Sequence, residues 1–382
     1  MIPNVKVAIV RAGDRATAVR QALALLSDEL TMRVRPGSRV LVKPNLVSHK
    51  TQLASTHAAT FGATLKALFD LGAGQIIAAE GATDAPSGFT RFGLRREAEG
   101  RAVRFFDLNR EESRWEPLEL TGLDGTVRVA RVSKTVTDSE CRVSLAMAKT
   151  HVTSILTLSL KNMLSSIHPS DRVMMHGYAG GGNGYSGWRK LVVEFLKQDN
   201  IAVNTLTRTL GRLKNAGNAL KEWRTNGDPF HALTATELGY LRSVEAMNSN
   251  LVALARITKP HIAVVDGFMA MHREGPRHGT PIKIGTVIAG TDAVAVDAVA
   301  AAVMGFDPRS IGYLHYAEQA GLGTIDLDCI QILGDPIASV RRPCVPHSNY
   351  HVQKHWPRLS KNRFPTPHFS MTQARSESMV GR

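Results

Sequence analysis

The sequence predicts an α/β protein with a mostly parallel sheet and helices on both faces. Apolar runs typical of strands alternate with segments of helical spacing through residues 5–333. Because parallel strands need helical crossovers between them, this order favours a parallel sheet that is covered on both sides. The composition is consistent with this class: 43% hydrophobic and 21% charged residues among 382 are ordinary for a globular protein with a large core.

Strands and helices follow one another along the chain. Alternating or continuous apolar runs predict strands at residues 5–10, 39–42, 75–79, 102–106, 143–147, 261–265, 286–289 and 329–333, and a hairpin at 115–132. Helical patterns are found at residues 14–26, 56–71, 88–100, 190–223, 234–257, 293–304 and 311–320. Pro44 ends the second strand, and Gly72, Gly305 and Gly321 end helices.

The predicted organisation is one elaborated α/β domain over residues 1–338, with a helical insertion at 188–257 and a tail at 339–382. A division of the domain into two lobes stays open. The tail holds eight lysine or arginine residues against one acidic residue, Glu377, and it also holds five prolines. We therefore expect the tail to be basic and disordered.

The net charge of +14 raises the question of an anionic partner. An aromatic content of 6%, with no nucleic-acid module or stacking platform, argues against nucleic acid. No apolar run reaches membrane-spanning length, so no membrane span is predicted. The first residues lack the charged and apolar regions of a signal peptide, so a cytoplasmic location is expected.

Several common cofactor motifs are absent from the sequence. Cys141, Cys329 and Cys344 are scattered without C-x-x-C spacing, which excludes a cysteine-ligated cluster within this chain. The glycine-rich stretch at 176–188 lacks the G-K-[S/T] of a P-loop, and no G-x-G-x-x-G lies between a strand and a helix. We interpret that stretch as a mobile lid or a linker between lobes. The cofactor is not identified by the sequence.

Polar side chains follow five of the predicted strands at their carboxyl ends. They are Lys43 and Asn45, Glu80, Lys149 and His151, Asp266, and Thr291 with Asp292. Because ligands of open α/β sheets bind outside the carboxyl ends of the strands, we expect these side chains to meet at one edge. Lysine and histidine at the end of an apolar strand need a partner that offsets their burial, because an unpaired buried charge lowers stability by on the order of several kcal/mol.

The segment after His151 shows helical spacing. Ser154, Thr157 and Lys161 fall at i, i+3 and i+7, so a helix would place them on one stripe and return Lys161 and Asn162 to the strand end. The alternative is that Lys161 is a solvated surface lysine.

The helix predicted at 293–304 is apolar apart from Asp297. A buried carboxylate there needs a cation, such as Lys43 or Lys161, or several hydrogen-bond donors. A structural ion pair and a catalytic role both stay open for Asp297. Asp292 is explained equally by an N-cap.

Glu274 lies in a segment that follows Asp266 and is expected to overhang the same edge. It is a candidate general base or metal ligand. Asp266, Glu274 and His151 together could form an oxygen and nitrogen metal site, although no i, i+4 ligand pair supports one. The metal therefore stays unknown.

Several of these segments resemble the family catalogued as domain of unknown function 362. They are VLVKPNLV, AKTHVTSILTLSLKNML, His176-Gly177, KPHIAVVDGFMAMHREGPRHGTP and AGTDAVAVDAVAAAVMGFDP, which span most of residues 5–335. The resemblance implies an α/β domain of unassigned role that often occurs beside a ferredoxin module. This chain lacks cluster ligands, so a redox role would require a separate redox partner.

The leading hypothesis is an enzyme acting on a small anionic ligand, a carboxylate or a phosphate. Clustered lysines lower one another's pKa, which favours proton transfer or Schiff-base chemistry, and a histidine can serve as acid or base. The predicted catalytic residues are Lys149, His151, Lys161, Asp266 and Glu274. The predicted ligand- or cofactor-binding residues are Lys43, Asn45, Asn162, Glu80, Asp292 and Asp297. Racemisation, isomerisation and reduction by an external donor all fit. The alternative is a non-catalytic protein that binds an anion or a metal.

Overall fold

The computed structural model describes residues 5–112, 114–179, 200–225 and 229–363. The strands in this part of the chain are β1 (Val5–Arg11), β2 (Arg39–Pro44), β3 (Gln75–Glu80), β4 (Val103–Asp107), β5 (Trp115–Thr121), β6 (Val127–Ser133), β7 (Cys141–His151), β8 (Ile155–Thr157), β9 (Ile262–His272), β10 (Thr280–Ile282), β11 (Thr286–Gly290) and β12 (Ile330–Gly334). The main sheet has the order β12-β1-β11-β9-β7-β2-β3-β4, with β8 paired to β7 and β10 to β9. The predicted α/β class with a mostly parallel sheet is confirmed.

Helices surround this sheet. Those in the described residues are α1 (Arg15–Ala24), α2 (Ser27–Thr31), α3 (Ala58–Asp70), α4 (Ala85–Arg91), α5 (Leu94–Glu97), α6 (Lys134–Thr137), α7 (Ser159–Asn162), α8 (Ile201–Arg224), α9 (Ala235–Thr258), α10 (Ala293–Val303), α11 (Gly312–Gln319), α12 (Ile337–Val340), α13 (Tyr350–Gln353) and α14 (Trp356–Arg363).

Both faces of the sheet are covered, as predicted. On one face, α1 and α3 bury Val19, Leu23, Phe61 and Leu65 against the strands. On the other face, α9, α10 and α11 contribute to a second apolar core. β7 lies between the two layers and is buried along nearly its whole length, which explains its continuous apolar sequence.

Among the eight strands of the order given above, β11 runs against the others. β11 pairs antiparallel with both β1 and β9, and Gly290 at its carboxyl end lies opposite Ala263 near the start of β9. Asp292 therefore lies at the opposite edge of the sheet from the ends of β2, β3 and β7. There it caps α10 by accepting the N–H groups of Val294 and Ala295. The prediction that Asp292 joins the other strand ends is wrong, because a helical crossover was assumed where the chain reverses.

The chain after His151 forms a hairpin in place of the predicted helix. β8 pairs antiparallel with β7, so Lys149 lies opposite Thr157. The His151 ring accepts the N–H groups of Thr153 and Ser154, and this turn reverses the chain before a helix can start. The short α7 follows. The predicted stripe of Ser154, Thr157 and Lys161 on one helix is therefore wrong.

The helical insertion contains α8 and α9 within the predicted range. The glycine-rich stretch interpreted as a lid or linker falls mostly on residues 180–188, which lie outside the described residues. No helix in the described part of the chain is both long enough and apolar enough to cross a membrane.

Residues after 339 pack against the domain as far as α14. Cys344, Val352 and Trp356 are buried in the core, and Trp356 Nε1 donates a 2.8 Å hydrogen bond to the Ser310 carbonyl. The boundary predicted for the tail therefore lies too early. The apolar residues between the basic ones and the prolines provide anchors that composition alone did not reveal. Residues 364–382 lie outside the described part of the chain.

Candidate functional site

Seven of the predicted site residues lie at the carboxyl edge of the sheet and are at most 9% exposed. They are Lys43, Asn45, Glu80, Lys149, His151, Lys161 and Asn162. The parallel strands β2, β3 and β7 bring the first five to this edge because they end side by side. The β7–β8 hairpin and α7 return Lys161 and Asn162 to the same edge.

Lys43 and Glu80 form a buried ion pair between β2 and β3. Lys43 Nζ lies 2.9 Å from Glu80 Oε1. Burial by itself would raise the pKa of Glu80, but Lys43 and hydrogen bonds from Ser165 and the Leu46 N–H hold that pKa below its ordinary value. Burial lowers the pKa of Lys43, and Glu80 opposes this shift. The two charges neutralise each other, so the pair fixes the strand ends and leaves no free cation.

Two asparagines connect Lys149 to the end of β2. Lys149 Nζ donates to Asn45 Oδ1 at 2.6 Å and to the Ala54 carbonyl at 2.7 Å. Asn45 Nδ2 donates to Asn162 Oδ1 at 2.8 Å, and Asn162 Nδ2 donates to the Lys43 carbonyl at 3.0 Å. Each amide is held in one orientation by this chain of hydrogen bonds. Lys149 therefore has neutral acceptors and no directly bonded carboxylate among the described residues.

Lys161 is a second buried lysine at this edge, and it lacks even neutral acceptors. It forms no hydrogen bond or ion pair with the described residues, and burial lowers its pKa to about 8. The pKa of Lys149 lies well below its ordinary value, because of burial first and then the cations Lys161 and Arg277. Two buried lysines that repel each other electrostatically, with no carboxylate bound to either among the described residues, favour a bound anion or a neutral amine.

His151 is neutral and its tautomer follows from its contacts. Nδ1 accepts the N–H of Thr153 at 2.9 Å and that of Ser154 at 3.2 Å, so the ring proton resides on Nε2. Burial and then the Lys161 cation lower the pKa of His151 well below its ordinary value. His151 is thus a hydrogen-bond donor through Nε2.

Two further histidines, His176 and His347, belong to the surroundings of His151 and were not among the predicted site residues. Both act electrostatically on His151. Burial, with Lys161, lowers the pKa of His176 to about 4. His176-Gly177 was part of the family resemblance, which was the available signal for it. His347 lies in the segment that was assigned to the disordered tail.

Glu274 lies beside His347 and not beside Lys161. Its carboxyl group accepts the Ser348 N–H at 3.2 Å and the Ser348 hydroxyl at 3.0 Å, and Oε2 is 3.1 Å from His347 Nε2. Burial raises the pKa of Glu274 and lowers that of His347 to about 3, so a neutral His347 ring contacts the Glu274 carboxyl group. This contact holds the C-terminal segment next to His151.

Asp266 is separated from this group. Its carboxylate accepts the Thr60 hydroxyl at 2.6 Å and the Phe268 N–H at 3.0 Å, and Arg15 Nε lies 2.7 Å away. The side chain therefore faces α1 and α3. Asp266, Glu274 and His151 have different partners and do not form the metal site considered above. No three histidine, cysteine or carboxylate residues in the described part of the chain converge on a metal position.

Asp297, on α10, binds the first residues of α7 through hydrogen bonds. Its Oδ1 accepts the Ser159 N–H at 2.8 Å and the Ser159 hydroxyl at 2.5 Å, and Oδ2 accepts the Leu160 N–H at 3.0 Å. Burial raises its pKa to about 7. Of the two compensations predicted for Asp297, the structure contains the hydrogen-bond donors and not the cation. Asp297 thereby positions the helix that carries Lys161 and Asn162.

This edge has the parts needed for proton transfer to or from a bound anion. Lys161 supplies an amine that both gains and loses a proton near neutral pH. Lys149 supplies a fixed amine, and His151 supplies an N–H donor. The asparagines and the Lys43–Glu80 pair hold these groups in place. The low exposure of all of them strengthens their electrostatic interactions with a ligand.

Known proteins resemble this chain in sequence and in structure. Thylakoid-associated protein sll1697 from Synechocystis sp. is 35% identical over 72 residues, which are 19% of this chain and 22% of that protein. The solved lactate racemase apoprotein from Thermoanaerobacterium thermosaccharolyticum aligns with a TM-score of 0.39 and 12% identity, over 76% of this chain and 54% of that one. A protein from Thermotoga maritima aligns with a TM-score of 0.40 and 8% identity, over 81% and 60%. Each of the three is matched over less than two thirds of its own length.

A family model identifies the chain more directly. The model described as Domain of unknown function (DUF362) matches residues 40–302, which include β2, β7, α7 and β9 and so most of the residues at the edge. Because the match covers more than half of the chain, this protein belongs to the DUF362 family.

Proposed function

We propose that the protein is an enzyme that binds a small carboxylate or phosphate at the carboxyl edge of the sheet and transfers a proton through Lys161. The observation that carries this proposal is the Lys161 amine: its side chain is only 9% exposed, the amine has no partner among the described residues, and burial lowers its pKa to about 8. An amine that served only the fold would be paired, because burying it alone costs stability.

The class of ligand follows from the charges around Lys161. Glu80 is neutralised by Lys43, and no carboxylate among the described residues is bonded to Lys149 or Lys161. A bound anion would stabilise the protonated lysines and would offset the cost of their burial. Small carboxylates and phosphates carry this charge and accept hydrogen bonds from amines.

Each residue then has a separate role. Lys161 donates or accepts the proton, and Lys149 attracts the anion from a position fixed by Asn45 and Ala54. His151 donates Nε2–H to the ligand. A reduction at the same site would draw its electrons from a separate protein, whereas proton exchange requires no second reactant.

The alternative is a binding protein that holds the anion unchanged. It is favoured by Lys149, whose amine is already fixed by two acceptors and is therefore suited to hold a ligand in place. The two functions differ in whether hydrogen at the carbon next to the acid group exchanges with water.

Deuterium exchange separates these functions. Small carboxylates and phosphates that raise the melting temperature would be incubated with the protein in D₂O, and loss of the proton NMR signal beside the acid group would be followed. We expect exchange with the parent and none with Lys161→Met. Lys66→Met is the matched control, because Lys66 is an exposed lysine paired with Asp70 on α3. Binding without exchange would contradict the enzyme and support the binding protein. Absence of binding across the panel would contradict both functions.

A further inference from the structure

A cavity of about 350 Å³ lies on the α1 and α3 side of the sheet, next to the candidate site but on the other side of a turn. It is lined by the apolar residues Leu53, Met147, Phe268 and Met269 together with the polar residues Arg15, Gln52, Ser55 and His57. Leu53, Phe268 and Met269 are half-buried, so the cavity can be reached from the surface. An apolar cavity of about 150 Å³ is already large enough to hold benzene.

The cavity exists because β9 bulges where it faces β7. Met147 pairs with Asp266, and Lys149 two residues later pairs with Met271, five residues further along β9. The extra residues of β9 include Phe268 and Met269, which leave the regular ladder. The bulge moves both side chains over the α1 and α3 face.

The polar groups at the cavity carry no net charge. Arg15 is paired with Asp266 at 2.7 Å and lies 5.0 Å from the centre of the Phe268 ring. His57 Nδ1 accepts the Ala59 N–H at 3.1 Å, and burial, with Arg15, lowers its pKa, so the ring is neutral. The lining residues therefore offer no uncompensated cation to an anion, although Lys283 Nζ, which is not a lining residue, lies 5.8 Å from the centre of the Phe268 ring.

We propose that this cavity is a second ligand site, which takes an uncharged aromatic group. Thioether sulfurs and an aromatic ring are the groups that favour a planar aromatic ligand, through sulfur–aromatic and ring–ring contacts. Met147, Met269 and Phe268 provide both around one cavity of sufficient size.

The site shares a structural element with Lys149. Leu53 and Ser55 line the cavity, and the carbonyl of Ala54 between them accepts the hydrogen bond of Lys149 Nζ at 2.7 Å. A ligand in the cavity therefore contacts the turn that fixes Lys149. By thermodynamic linkage, a ligand that displaces this turn changes the affinity of the edge for an anion.

Fluorobenzene observed by ¹⁹F NMR is a suitable probe, because it is uncharged and independent of the proposed chemistry. We expect saturable binding to the full-length protein and binding weakened at least tenfold in Leu53→Trp, whose indole fills the cavity. Met32→Trp is the matched control, since Met32 is 74% exposed and is not among the residues that line the cavity. Met269→Leu tests the sulfur contacts with little change of volume and should weaken binding by a smaller factor.

Two results would overturn this assignment. One is the absence of saturable binding to the parent, and the other is equal binding to the parent and to Leu53→Trp in a variant that is folded by circular dichroism. Binding of benzoate as strongly as fluorobenzene, abolished by Lys161→Met, would instead assign the ligand to the charged edge. Failure of the proton-exchange experiment leaves this inference unaffected.

Discussion

Lys149 and Lys161 are both buried, yet their surroundings give them different properties. Lys149 donates to two neutral oxygens, whereas Lys161 has no acceptor among the described residues. Both pKa values are lowered mainly by burial. A residue whose burial lowers stability and which has no compensating contact is typical of a functional site, where stability is exchanged for activity.

Replacing Lys161 with methionine should stabilise the protein. A pKa lowered from 10.5 to about 8 corresponds to roughly 3 kcal/mol of unfavourable burial. We expect Lys161→Met to raise the free energy of unfolding by about 1–3 kcal/mol at pH 7, because methionine fills similar space without a charge. Urea denaturation measures this difference.

The pH dependence of that difference has a defined sign. Between pH 8 and pH 10.5 the unfolded chain keeps the Lys161 proton that the folded protein has released, so the stability of the parent rises with pH. The gain in the free energy of unfolding of Lys161→Met over the parent is therefore full below pH 8 and disappears towards pH 10.5. Lys66→Met should show no such trend, and a destabilised Lys161→Met protein would mean that Lys161 has a structural partner.

Asp297→Asn should loosen α7. The asparagine has one acceptor oxygen, so either Ser159 or Leu160 loses its hydrogen bond, at a cost of about 1–3 kcal/mol. The pKa of Asp297 in the folded protein, about 7, lies above the ordinary 3.8. Its contribution to the free energy of unfolding is therefore full below pH 3.8 and is lost as pH rises through 7. Denaturation at pH 5 and pH 8 should show the larger loss at pH 5. An equal stability of the parent and Asp297→Asn at pH 5 would contradict the anchoring role.

The sequence predicted which residues lie at the edge better than it predicted the role of each one. An apolar strand that ends in Lys149 and His151 predicted a polar cluster, because a buried charge requires compensation. It did not distinguish the neutralised Lys43 from the unpaired Lys161, since the partner Glu80 is 37 residues from Lys43 in the chain. Asp266 was assigned to the same cluster because the pattern gives the strand end but not the direction of the side chain.

At the scale of elements, the C-terminal segment of residues 341–359 supports the site although its composition resembles a linker. Gln353 Nε2 donates to the His151 carbonyl at 3.0 Å, and Glu274 holds Ser348 and His347. Prolines and arginines predicted disorder here. The contacts that order the segment are made with residues far away in the chain, which no local pattern reveals.

Trp356 should be the main anchor of this segment. It is 2% exposed and packs against Tyr316 and His315 at ring distances of 5.3 and 5.5 Å. We expect Trp356→Ala to lower the free energy of unfolding by about 3–5 kcal/mol, as is usual for a buried tryptophan. Denaturation followed by circular dichroism measures the change.

Trp115→Ala serves as the comparison, because Trp115 is half-buried in the separate hairpin. A loss for Trp356→Ala no greater than that for Trp115→Ala would show that the segment is not part of the folded domain in solution.

The hairpin of β7 and β8 illustrates the limit of periodicity for short elements. Three residues of helical spacing are also compatible with a turn followed by a strand. Thr157 is β-branched and favours the strand, and the His151 ring supplies the acceptor that closes the turn before it. The longer helices α8 and α9 end within one residue of the predicted ends at 223 and 257, because their spacing extends over many turns.

At the scale of the whole molecule, the direction of β11 determines which strand ends can act together. The strand-and-helix order predicted the parallel strands, but direction depends on pairing across the sheet. The antiparallel pairing of β11 with β1 and β9 places Asp292 at the opposite edge. One reversed strand thus removes one of the predicted ligand-binding residues while the fold class stays as predicted.

Asp292→Asn should therefore leave anion binding unchanged. Asparagine keeps the oxygen that caps α10, so the fold is retained. We expect the affinity for the best carboxylate or phosphate to match that of the parent within twofold by isothermal titration calorimetry. A loss of tenfold or more in a folded variant would mean that the two edges of the sheet are coupled.

The most direct test of the proposed site is the titration of Lys161 itself. Protein labelled with ¹³C in its lysine side chains would be titrated by NMR, and the Cε signal of Lys161 would be assigned by its absence in Lys161→Met. We predict a pKa of about 8 in the free protein, which moves upwards when acetate or phosphate is bound. A pKa near 10.5 that neither anion changes would contradict the presence of a buried, unpaired amine and of the anion site built around it.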